Sequence, residues 1–381
     1  MKILVLGGGA QGSACAYDLV QRDDVEKVIL GDVSVDDPKP FLAPYVGGKL
    51  ELRAVDATDP AGVKAVMEEV DAVACALPYY FNLEMTRLAI EAGAHFCDLG
   101  GNTEIVDQQI ELAEAARAEG VSVVPDCGLA PGMVNILAQG GIDALDRTDS
   151  VKIFVGGLPQ DPKPPLNYQI VYSMEGVLDY YTTPVLVLEG GEVAEKEALT
   201  GLETVEFPEP VGALEAFYTA GGISRMPYRY KGTIPSMAYK TLRYPGHAHL
   251  MKGMRDLGLM DLEPVEVDGA TMVPRDFFIR TVSPKLRNPE GNDLVAMRVE
   301  VSGTKEGSPH TVRYDLIDRY DPEHGVTAME RTTGYSLAAT AYMQAKGIVE
   351  GGVHTPDECI PVDSFIAELA NRGVNIVRSE R

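Results

Sequence analysis

Short apolar runs alternate with longer mixed segments along the first third of the chain. The runs suit buried strands, and the segments between them suit helices of about ten or more residues. Strands that alternate with helices in this way form a parallel sheet covered on both faces. The pattern therefore predicts a doubly wound α/β domain of the Rossmann type over residues 1–130. Its six predicted strands lie at residues 2–6, 27–30, 50–55, 72–76, 95–98 and 122–124.

The pattern changes beyond residue 150, where longer strands are predicted. Residues 295–301 alternate with a period of two, which is typical of a sheet with one solvated face. Without further strand–helix–strand units, residues 131–333 are predicted to form an α+β domain with a mixed sheet, for substrate binding and dimerisation. Residues 334–381 are predicted to pack back on the first domain. The other strands of the second domain are predicted at 150–155, 168–172, 185–188 and 204–207, and the last helices at 334–345 and 362–371.

The charge balance excludes several kinds of partner. With 33 basic and 57 acidic residues the net charge is −24, which repels nucleic acid and anionic membranes. No apolar run approaches the ~18 residues of a membrane span, and the chain opens on a strand rather than a cationic leader. The five cysteines are scattered without a Cys-x-x-Cys pair. Neither a disulfide framework nor a zinc site is predicted, and the reducing cytoplasm is the expected compartment.

A glycine-rich turn links the first predicted strand to the first predicted helix. Gly7, Gly9 and Gly12 have the spacing of the dinucleotide fingerprint. The first glycine allows a tight turn, the second lets the backbone approach a pyrophosphate, and the third lets the helix pack on the strand. Ala10 and Gln11 lie between them at the positive end of the helix. The turn therefore predicts a bound dinucleotide.

Further cofactor contacts are predicted where the next strands end. Asp32 follows the first glycine by 25 residues, where a carboxylate accepts hydrogen bonds from the adenosine ribose. No arginine follows Asp32 closely, so NAD is predicted rather than NADP. Asp56 would lie near the adenine or cap the helix that begins near Pro60. Leu77 and Pro78 follow the fourth strand, at the sheet edge where ligands bind.

Longer motifs follow the fingerprint in order along the whole chain. Through them the sequence resembles the saccharopine dehydrogenase superfamily and, within it, the L-lysine 6-dehydrogenase group. The resemblance implies an oxidoreductase that acts on an amino acid. The motifs are Ala76-Leu77-Pro78, Asp126-Cys127-Gly128-Leu129-Ala130-Pro131-Gly132, Val155-Gly156-Gly157-Leu158-Pro159, the run from Asp161 to Tyr168, Thr241-Leu242-Arg243-Tyr244-Pro245-Gly246-His247, and Thr333-Gly334-Tyr335.

Three positions depart from the saccharopine-forming reductases of this superfamily. Those enzymes carry an aspartate before the Pro-Gly of the Gly-Leu-x-Pro-Gly turn and a cysteine before Gly-Gly-Leu-Pro. This chain has Ala130 and Val155 there. They also carry a tyrosine in the loop after the fifth strand, where this chain has Gly100-Gly101-Asn102. The resemblance therefore implies oxidation of the side-chain amine of lysine to the semialdehyde, with ammonia and NADH as products.

The resemblance also implies residues that bind the substrate. Arg243 matches the arginine that contacts the substrate carboxylate in saccharopine reductases, although a structural ion pair is the alternative. Tyr168 and Tyr172 are predicted to share one face of a strand, where one would bind substrate or both would form aromatic core. Tyr79 would line the nicotinamide pocket or pack against its neighbours. Asn102 is a further candidate in the loop after the fifth strand.

The implied reaction needs a base or carboxylate near the amine, because an ammonium must lose a proton before its carbon can give up hydride. Asp98, at the end of the fifth strand, would bind that amine or cap a turn. His247 would transfer protons near neutral pH or cap a loop. His247 and His249 lack further ligands at metal spacing, so no metal site is predicted. Cys127 is expected to be buried and inert. The catalytic candidates are Asp98, Tyr168 and His247.

Two other functions stay open at this point. The same scaffold would serve a related C–N dehydrogenase acting on saccharopine, carboxynorspermidine or another amino-acid conjugate. A nucleotide-binding regulator without turnover is the third alternative. In each case a homodimer or a higher homo-oligomer is expected.

Overall fold

The computed structural model describes residues 1–288 and 291–381 of the chain. The strands are β1 (Lys2–Leu6), β2 (Lys27–Asp32), β3 (Leu50–Ala54), β4 (Ala72–Cys75), β5 (His95–Asp98), β6 (Ser122–Val124), β7 (Arg147–Pro159), β8 (Val185–Glu189), β9 (Glu192–Lys196), β10 (Glu203–Glu206), β11 (Ala213–Tyr218), β12 (Ser236–Arg243), β13 (Val265–Val267), β14 (Ala270–Met272), β15 (Asp293–Lys305), β16 (Ser308–Arg319), β17 (Gly352–Val353) and β18 (Val377–Glu380). The helices are α1 (Ala10–Val20), α2 (Pro60–Met67), α3 (Asn82–Ala92), α4 (Thr103–Ile110), α5 (Ala113–Ala118), α6 (Met133–Asp143), α7 (Met174–Thr182), α8 (Met226–Arg229), α9 (His247–Asp256), α10 (Pro274–Leu286), α11 (Ala328–Ala345), α12 (Pro356–Cys359) and α13 (Val362–Ala370). Short 3₁₀ helices span Pro40–Tyr45 and Tyr79–Phe81.

The chain divides into two compact units that are each discontinuous in sequence. The predicted boundary at residue 130 falls before α6, which belongs to the first unit because it packs on α12 and α13. Residues 321–333, predicted for the second domain, also belong to the first unit. The first unit comprises Met1–Asp143, Ile223–Arg225 and Asp321–Ile376, and the second comprises Ala144–Gly222, Met226–Tyr320 and Val377–Arg381.

The first unit is built on a seven-stranded sheet with the order β17-β6-β5-β4-β1-β2-β3. All neighbouring strands in it are parallel. The interior strand β1 is buried from Ile3 to Leu6, as expected when helices cover both faces. The direction of strand addition reverses between β1 and β4, which is where such sheets bind ligands. The predicted Rossmann-type sheet is confirmed.

The C-terminal segment completes the first unit. Strand β17 adds a seventh strand beside β6, which the sequence pattern did not predict because it has only two residues. Helix α11 begins six residues before its predicted start, at a capping box between Thr327 and Glu330. It packs on α1, and a Cβ on Gly334 would lie 2.7 Å from the Cβ of Ala14. The glycine in Thr-Gly-Tyr thus permits close contact with the fingerprint helix.

The second unit contains a nine-stranded mixed sheet, as predicted. Its main path is β10-β11-β12-β7-β15-β16-β18, and the β8–β9 hairpin pairs with β12. Strand β7 runs parallel to β12 and antiparallel to β15. Helices α7, α9 and α10 enclose a core that includes Tyr181 and Phe217. Within the described ranges, no helix is both long and apolar enough to cross a membrane.

Two predicted elements differ from the structure. Residues 168–172 do not form a strand, because Pro162, Pro164 and Pro165 remove backbone donors just before them and Asn167 has a left-handed backbone. Tyr168 nevertheless enters the core of the second unit through its side chain. The single helix expected from residue 104 to 118 is broken into α4 and α5 at residues 111–112.

Candidate active site

The glycine turn has the geometry that a dinucleotide requires. Gly7 has a φ of +97°, and an added Cβ would lie 2.9 Å from the carbonyl oxygen of Ala76. A Cβ on Gly12 would lie 1.8 Å from the carbonyl oxygen of Gly7, so only glycine lets α1 start this close to β1. In contrast, among the described residues no atom outside the adjoining backbone lies within 4 Å of the Cβ position of Gly9. Gly7 and Gly12 therefore shape the turn, and Gly9 leaves its outer surface open to a ligand.

The start of α1 fits an anionic group. Gly9 and Ala10 are exposed, no side chain caps the helix, and its first turn has no acidic residue. The side-chain oxygen Oε1 of Gln11 is buried without a hydrogen-bond partner among the described residues. Free N–H groups and the helix dipole at this end favour a phosphate. These residues would hold the pyrophosphate of a dinucleotide.

Asp32 is fixed at the end of β2 by two backbone donors. Its Oδ2 accepts a hydrogen bond from the N–H of Gly8 at 2.6 Å, and its Oδ1 accepts one from the N–H of Ser34 at 3.1 Å. The side chain is partly exposed, as a ribose-binding carboxylate must be. Asp56 instead accepts bonds from the N–H and hydroxyl of Thr58, which lowers its pKa. These contacts shape the turn before α2.

The loop after β4 lies beside the loop after β5. Leu77 packs against the hydrophobic core, whereas Pro78 and Tyr79 are exposed. A Cβ on Gly101 would lie 3.4 Å from the Cβ of Tyr79. The contact brings the predicted nicotinamide-side residues of two neighbouring strands together.

Asp98 is turned into its own loop. It has no exposed surface, its Oδ1 accepts a bond from the N–H of Gly100 at 2.7 Å, and its Oδ2 accepts one from Nε2 of Gln109 at 2.7 Å. Burial raises the pKa of Asp98 to about 6, against the lowering effect of these hydrogen bonds. The contacts match the turn-cap alternative, and binding of a substrate amine by Asp98 stays a prediction without support from them.

Asn102 also has a local partner. Its side-chain oxygen accepts a hydrogen bond from the N–H of Ile105 at 3.1 Å, which makes Asn102 the N-cap of α4. The cap fixes the loop after β5, and it leaves the amide nitrogen of Asn102 available for other contacts.

Arg243 is the central cation of the second unit's candidate site. It is 3% exposed, and its Nη1 donates to the carbonyl oxygens of Leu242 at 2.9 Å and Gly157 at 3.5 Å. Its guanidinium also shares a hydrogen bond with the side chain of Tyr181. Its guanidinium carbon lies 4.9 Å from the ring centre of Tyr168. Within the described ranges, Nε of Arg243 has no hydrogen-bond partner and the hydroxyl of Tyr168 donates to no residue. No ion pair of Arg243 is formed within residues 1–288 and 291–381, so its described contacts give the ion-pair alternative no support.

His247 is held rigidly near that cation. Its Nε2 lies 3.0 Å from the hydroxyl of Tyr181 and its Nδ1 lies 3.1 Å from the carbonyl oxygen of Leu166. Burial, reinforced by the charge of Arg243, lowers the pKa of His247 to about 3. A neutral ring with both nitrogens engaged argues against proton transfer by His247 near neutral pH. His249 is exposed, so the two histidines do not face one site.

The predicted aromatic residues contact the same cluster. Tyr168 stacks edge-on to His247, with ring centres 5.3 Å apart, and Tyr172 packs against the same core. Burial raises the pKa of Tyr168, so its hydroxyl stays protonated and can donate a hydrogen bond. The structure thus brings together Arg243, Tyr168, Tyr172 and His247, although residues 168–172 are not the strand that the spacing suggested.

Three residues with site-like environments were not among the predicted ones. Tyr181 contacts His247, and its position on α7 carries no motif. Asp126 is buried with a left-handed backbone and receives a hydrogen bond from the hydroxyl of Ser224. A polar residue directly after β6, inside the Asp-Cys-Gly motif, was the one available signal for Asp126.

The fold and the glycine turn define a dinucleotide-binding protein of the Rossmann class. Residues 3–124 match the sequence model of the saccharopine dehydrogenase NADP binding domain. Residues 128–374 match that of the saccharopine dehydrogenase C-terminal domain. The chain belongs to the saccharopine dehydrogenase family.

Curated relatives carry names consistent with that membership. The saccharopine dehydrogenase [NADP(+), L-glutamate-forming] of Schizosaccharomyces pombe is 27% identical over 218 residues, which cover 55% of this chain and 47% of that protein. The mitochondrial alpha-aminoadipic semialdehyde synthase of Mus musculus is 24% identical over 274 residues, which cover 69% of this chain and 29% of that protein. The chain thus spans about half of the first relative and less than a third of the second.

Solved structures support the same fold. The apo saccharopine dehydrogenase (L-Glu forming) of Saccharomyces cerevisiae superposes with a TM-score of 0.81 at 19% identity, covering 100% of this chain and 99% of that one. A homospermidine synthase of Legionella pneumophila in complex with NAD superposes with a TM-score of 0.69 at 11% identity, covering 100% and 91%. Both matches extend over the two units described above.

Proposed function

We propose that this protein is an NAD-dependent dehydrogenase that deaminates the ε-amino group of L-lysine oxidatively. The products would be 2-aminoadipate 6-semialdehyde, ammonia and NADH. Family membership supports a dinucleotide-dependent oxidoreductase of amino-acid C–N bonds. The apolar residues Ala130 and Val155, at positions where saccharopine-forming reductases carry polar ones, support the smaller substrate.

The observation that carries the proposal is the environment of Arg243. A buried cation is costly unless an anion or several acceptors compensate it. The described contacts of Arg243 are to neutral groups only, and its Nε and the hydroxyl of Tyr168 remain free to donate. A substrate carboxylate would accept both bonds and neutralise the guanidinium. An amino acid with an unmodified carboxylate fits this requirement.

We propose NAD rather than NADP as the cofactor. Asp32 would place a carboxylate beside a ribose 2′-phosphate, and residues 33–38 contain no basic side chain to offset the repulsion. The next cation, Lys39, pairs with Glu330 at 3.5 Å. Since the matching family model is named for NADP, both cofactors need to be compared.

The protein's own residues would fix the carboxylate end of the substrate and allow its amine to become neutral. Arg243 and Tyr168 would hold the α-carboxylate, which leaves the ε-amine as the mobile end of the substrate. That amine must be neutral before its carbon can release hydride. When bound, the dinucleotide supplies the hydride acceptor.

Initial rates measured by NADH absorbance test the proposal. We expect turnover with L-lysine and NAD, slower turnover with NADP, and ammonia released in equal amount to NADH. If lysine gives no turnover with either cofactor while saccharopine does, the substrate assignment is wrong. Binding of NAD without turnover of either substrate would instead support a regulator.

Saccharopine is the second candidate, because curated relatives bear that enzyme's name. A carboxynorspermidine-type conjugate is tested in the same assay. Assembly into a homodimer or larger homo-oligomer stays a prediction, to be checked by light scattering on the full chain. Cytoplasmic localisation stays a prediction as well.

A further inference from the structure

Two further buried carboxyl groups, those of Asp98 and Asp357, lie close enough to Asp126 to act on it electrostatically. Asp98 ends β5, Asp126 follows β6, and Asp357 lies on α12. Their exposed fractions are 0%, 3% and 7%. Both Asp98 and Asp357 raise the pKa of Asp126 through their negative charges. Negatively charged groups that lie close together and are buried favour uptake of a proton by one of them.

Asp126 is held in an unusual conformation. Its φ is +62°, a region that non-glycine residues enter rarely and that clusters at functional sites. The hydroxyl of Ser224 donates a hydrogen bond to its Oδ2. No ion pair involves Asp126 within residues 1–288 and 291–381. Burial raises the pKa of Asp126 to about 7, while the bond from Ser224 opposes the shift.

The carboxyl of Asp126 lies directly against the loop after β5. A Cβ on Gly100 would lie 1.7 Å from Oδ1 of Asp126, so glycine is required there. The next residue, Gly101, lies beside Tyr79 in the loop after β4. Dinucleotide-binding sheets place their reacting ligand outside the carboxyl ends of these strands. Asp126 is therefore one layer below the surface where chemistry is expected, and the partly exposed Ser224 lies next to it.

The segment that carries Ser224 is anchored on both sides within the first unit. Nδ2 of Asn135 donates to the carbonyl oxygen of Ile223 at 3.1 Å, and Arg225 forms an ion pair with Asp107. These contacts hold the hydroxyl of Ser224 on the carboxyl of Asp126. They also provide variants that loosen the segment without removing either group.

We propose that Ser224 and Asp126 form a proton relay that accepts the proton of the substrate ammonium. This inference rests on the proposed amine oxidation. The ammonium N–H bond breaks and its proton passes to Oγ of Ser224, while the hydroxyl proton of Ser224 passes to Oδ2 of Asp126. The substrate becomes a neutral amine and the carboxylate becomes a carboxylic acid, so charge and protons balance. No electron is transferred in this step.

Asp126→Asn tests the relay because it keeps size and hydrogen bonding but cannot take up a proton. With wild type, kcat/KM is expected to rise with pH up to about 7, where Asp126 is ionised. In Asp126→Asn this rise should vanish, and kcat/KM at neutral pH should fall by about 10²- to 10⁴-fold, the usual loss for a general base. An unchanged pH profile would overturn the proposal.

Ser224→Ala provides a second test that does not depend on how the first variant folds. Because the relay passes through Oγ of Ser224, this variant should lower kcat/KM at neutral pH about as strongly as Asp126→Asn. It also removes a bond that lowers the pKa of Asp126, so any remaining rise of kcat/KM should move to higher pH. The matched control is Asp107→Asn, which releases Arg225 on the same segment and should leave the midpoint of the rise in place. An equal shift in both variants would show that only segment docking matters.

Different experimental results would contradict the relay and the proposed reaction. If wild type oxidises no amine, the proposed function is wrong. The carboxyl of Asp126 can still be followed by infrared difference spectroscopy without substrate. The signal of a protonated acid should disappear as pH rises through about 7 in wild type and be missing in Asp126→Asn. If amine oxidation occurs and that signal is the same in both proteins, the relay is wrong.

Discussion

Arg243 provides the sharpest test at the scale of single residues. Arg243→Ala should raise the Michaelis constant for lysine by about 10- to 200-fold, because a charged hydrogen bond is worth about 1.5–3 kcal/mol. NAD affinity should stay the same, since Arg243 belongs to the second unit and the glycine turn to the first. Steady-state kinetics and NAD titration measure the two effects. Loss of NAD binding would mean that Arg243 has a structural role.

Asp32 controls the choice of cofactor in the proposal. Asp32→Ala should weaken NAD binding by about tenfold, as expected for the loss of charged hydrogen bonds, and reduce discrimination against NADP. Ser34→Ala is the matched control, because Ser34 contacts Asp32 through its backbone N–H and its side chain is not needed. Isothermal titration with both dinucleotides measures the outcome. Equal NAD affinity in Asp32→Ala and wild type would remove Asp32 from the ribose site.

Asp126 should make stability depend on pH. Its pKa is raised from 3.8 to about 7 in the folded protein. The contribution of this carboxyl group to the free energy of unfolding is therefore complete below about pH 4 and is lost as pH rises through about 7. Asp126→Asn should therefore be more stable than wild type above pH 7, by at most about 4 kcal/mol, and equally stable near pH 4. Urea denaturation across this range measures the difference. A constant difference at all pH values would contradict the raised pKa.

The roles of single residues could be predicted only where those roles depend on residues nearby in the sequence. The glycines and Asp32 were predictable because their roles depend on neighbours within one turn or on a fixed spacing. Asp98 and Asn102 cap turns, and the same residue types would serve a substrate equally well. The environment of Asp126 depends on Ser224, a contact across 98 residues that no local pattern encodes.

At the scale of elements, the β1–α1 turn separates two roles of glycine. Gly9→Ala should leave the melting temperature unchanged, because no described atom outside the adjoining backbone lies within 4 Å of the new methyl. It should weaken NAD binding at least about tenfold, because the methyl would occupy the phosphate approach. Gly12→Ala should lower both the melting temperature and the affinity for NAD, because its methyl would lie 1.8 Å from the carbonyl oxygen of Gly7. Calorimetry and NAD titration of the pair check this. Normal NAD affinity in Gly9→Ala would contradict the proposed binding mode.

Helices and strands with a clear hydrophobic pattern could be predicted from the sequence, and elements that depend on tertiary contacts could not. Six of the seven strands of the first sheet follow buried apolar runs, so their pattern was sufficient to predict them. Strand β17 has two residues and exists because β6 offers it an edge. Residues 168–172 show the opposite error, since apolar content suggested a strand that the preceding prolines prevent.

At the scale of the whole molecule, the last thirty residues serve two different units. A chain ending at residue 376 loses only β18, whose four residues are exposed, and should keep NAD binding and nearly the same melting temperature. A chain ending at residue 351 also loses β17 and the buried residues Phe365 and Leu369. Such a chain should lose NAD binding and cooperative unfolding of the first unit. Equal behaviour of the two truncations, measured by calorimetry, would contradict the division into units.

The division of the chain into two compact units was only partly predictable from the sequence. Alternating strands and helices located the first sheet, and the change of pattern near residue 150 located the second. The sequence predicted that the chain returns to the first unit from residue 334 onward, whereas in the structure it returns from residue 321 and stays there to residue 376. The placement of Ile223–Arg225 there could not be expected, because three residues carry no periodic signal.

The late position of β17 has a consequence for biosynthesis. The glycine turn leaves the ribosome before the second unit, but its sheet gains its last strand only after nearly all of the second unit has been synthesised. The first unit is therefore rich in contacts between residues remote in sequence, which slows folding. During translation, the second unit has most of its strands available before the first is complete. Chaperone demand should consequently fall on the strands of the first unit that are synthesised before the second unit and wait for β17.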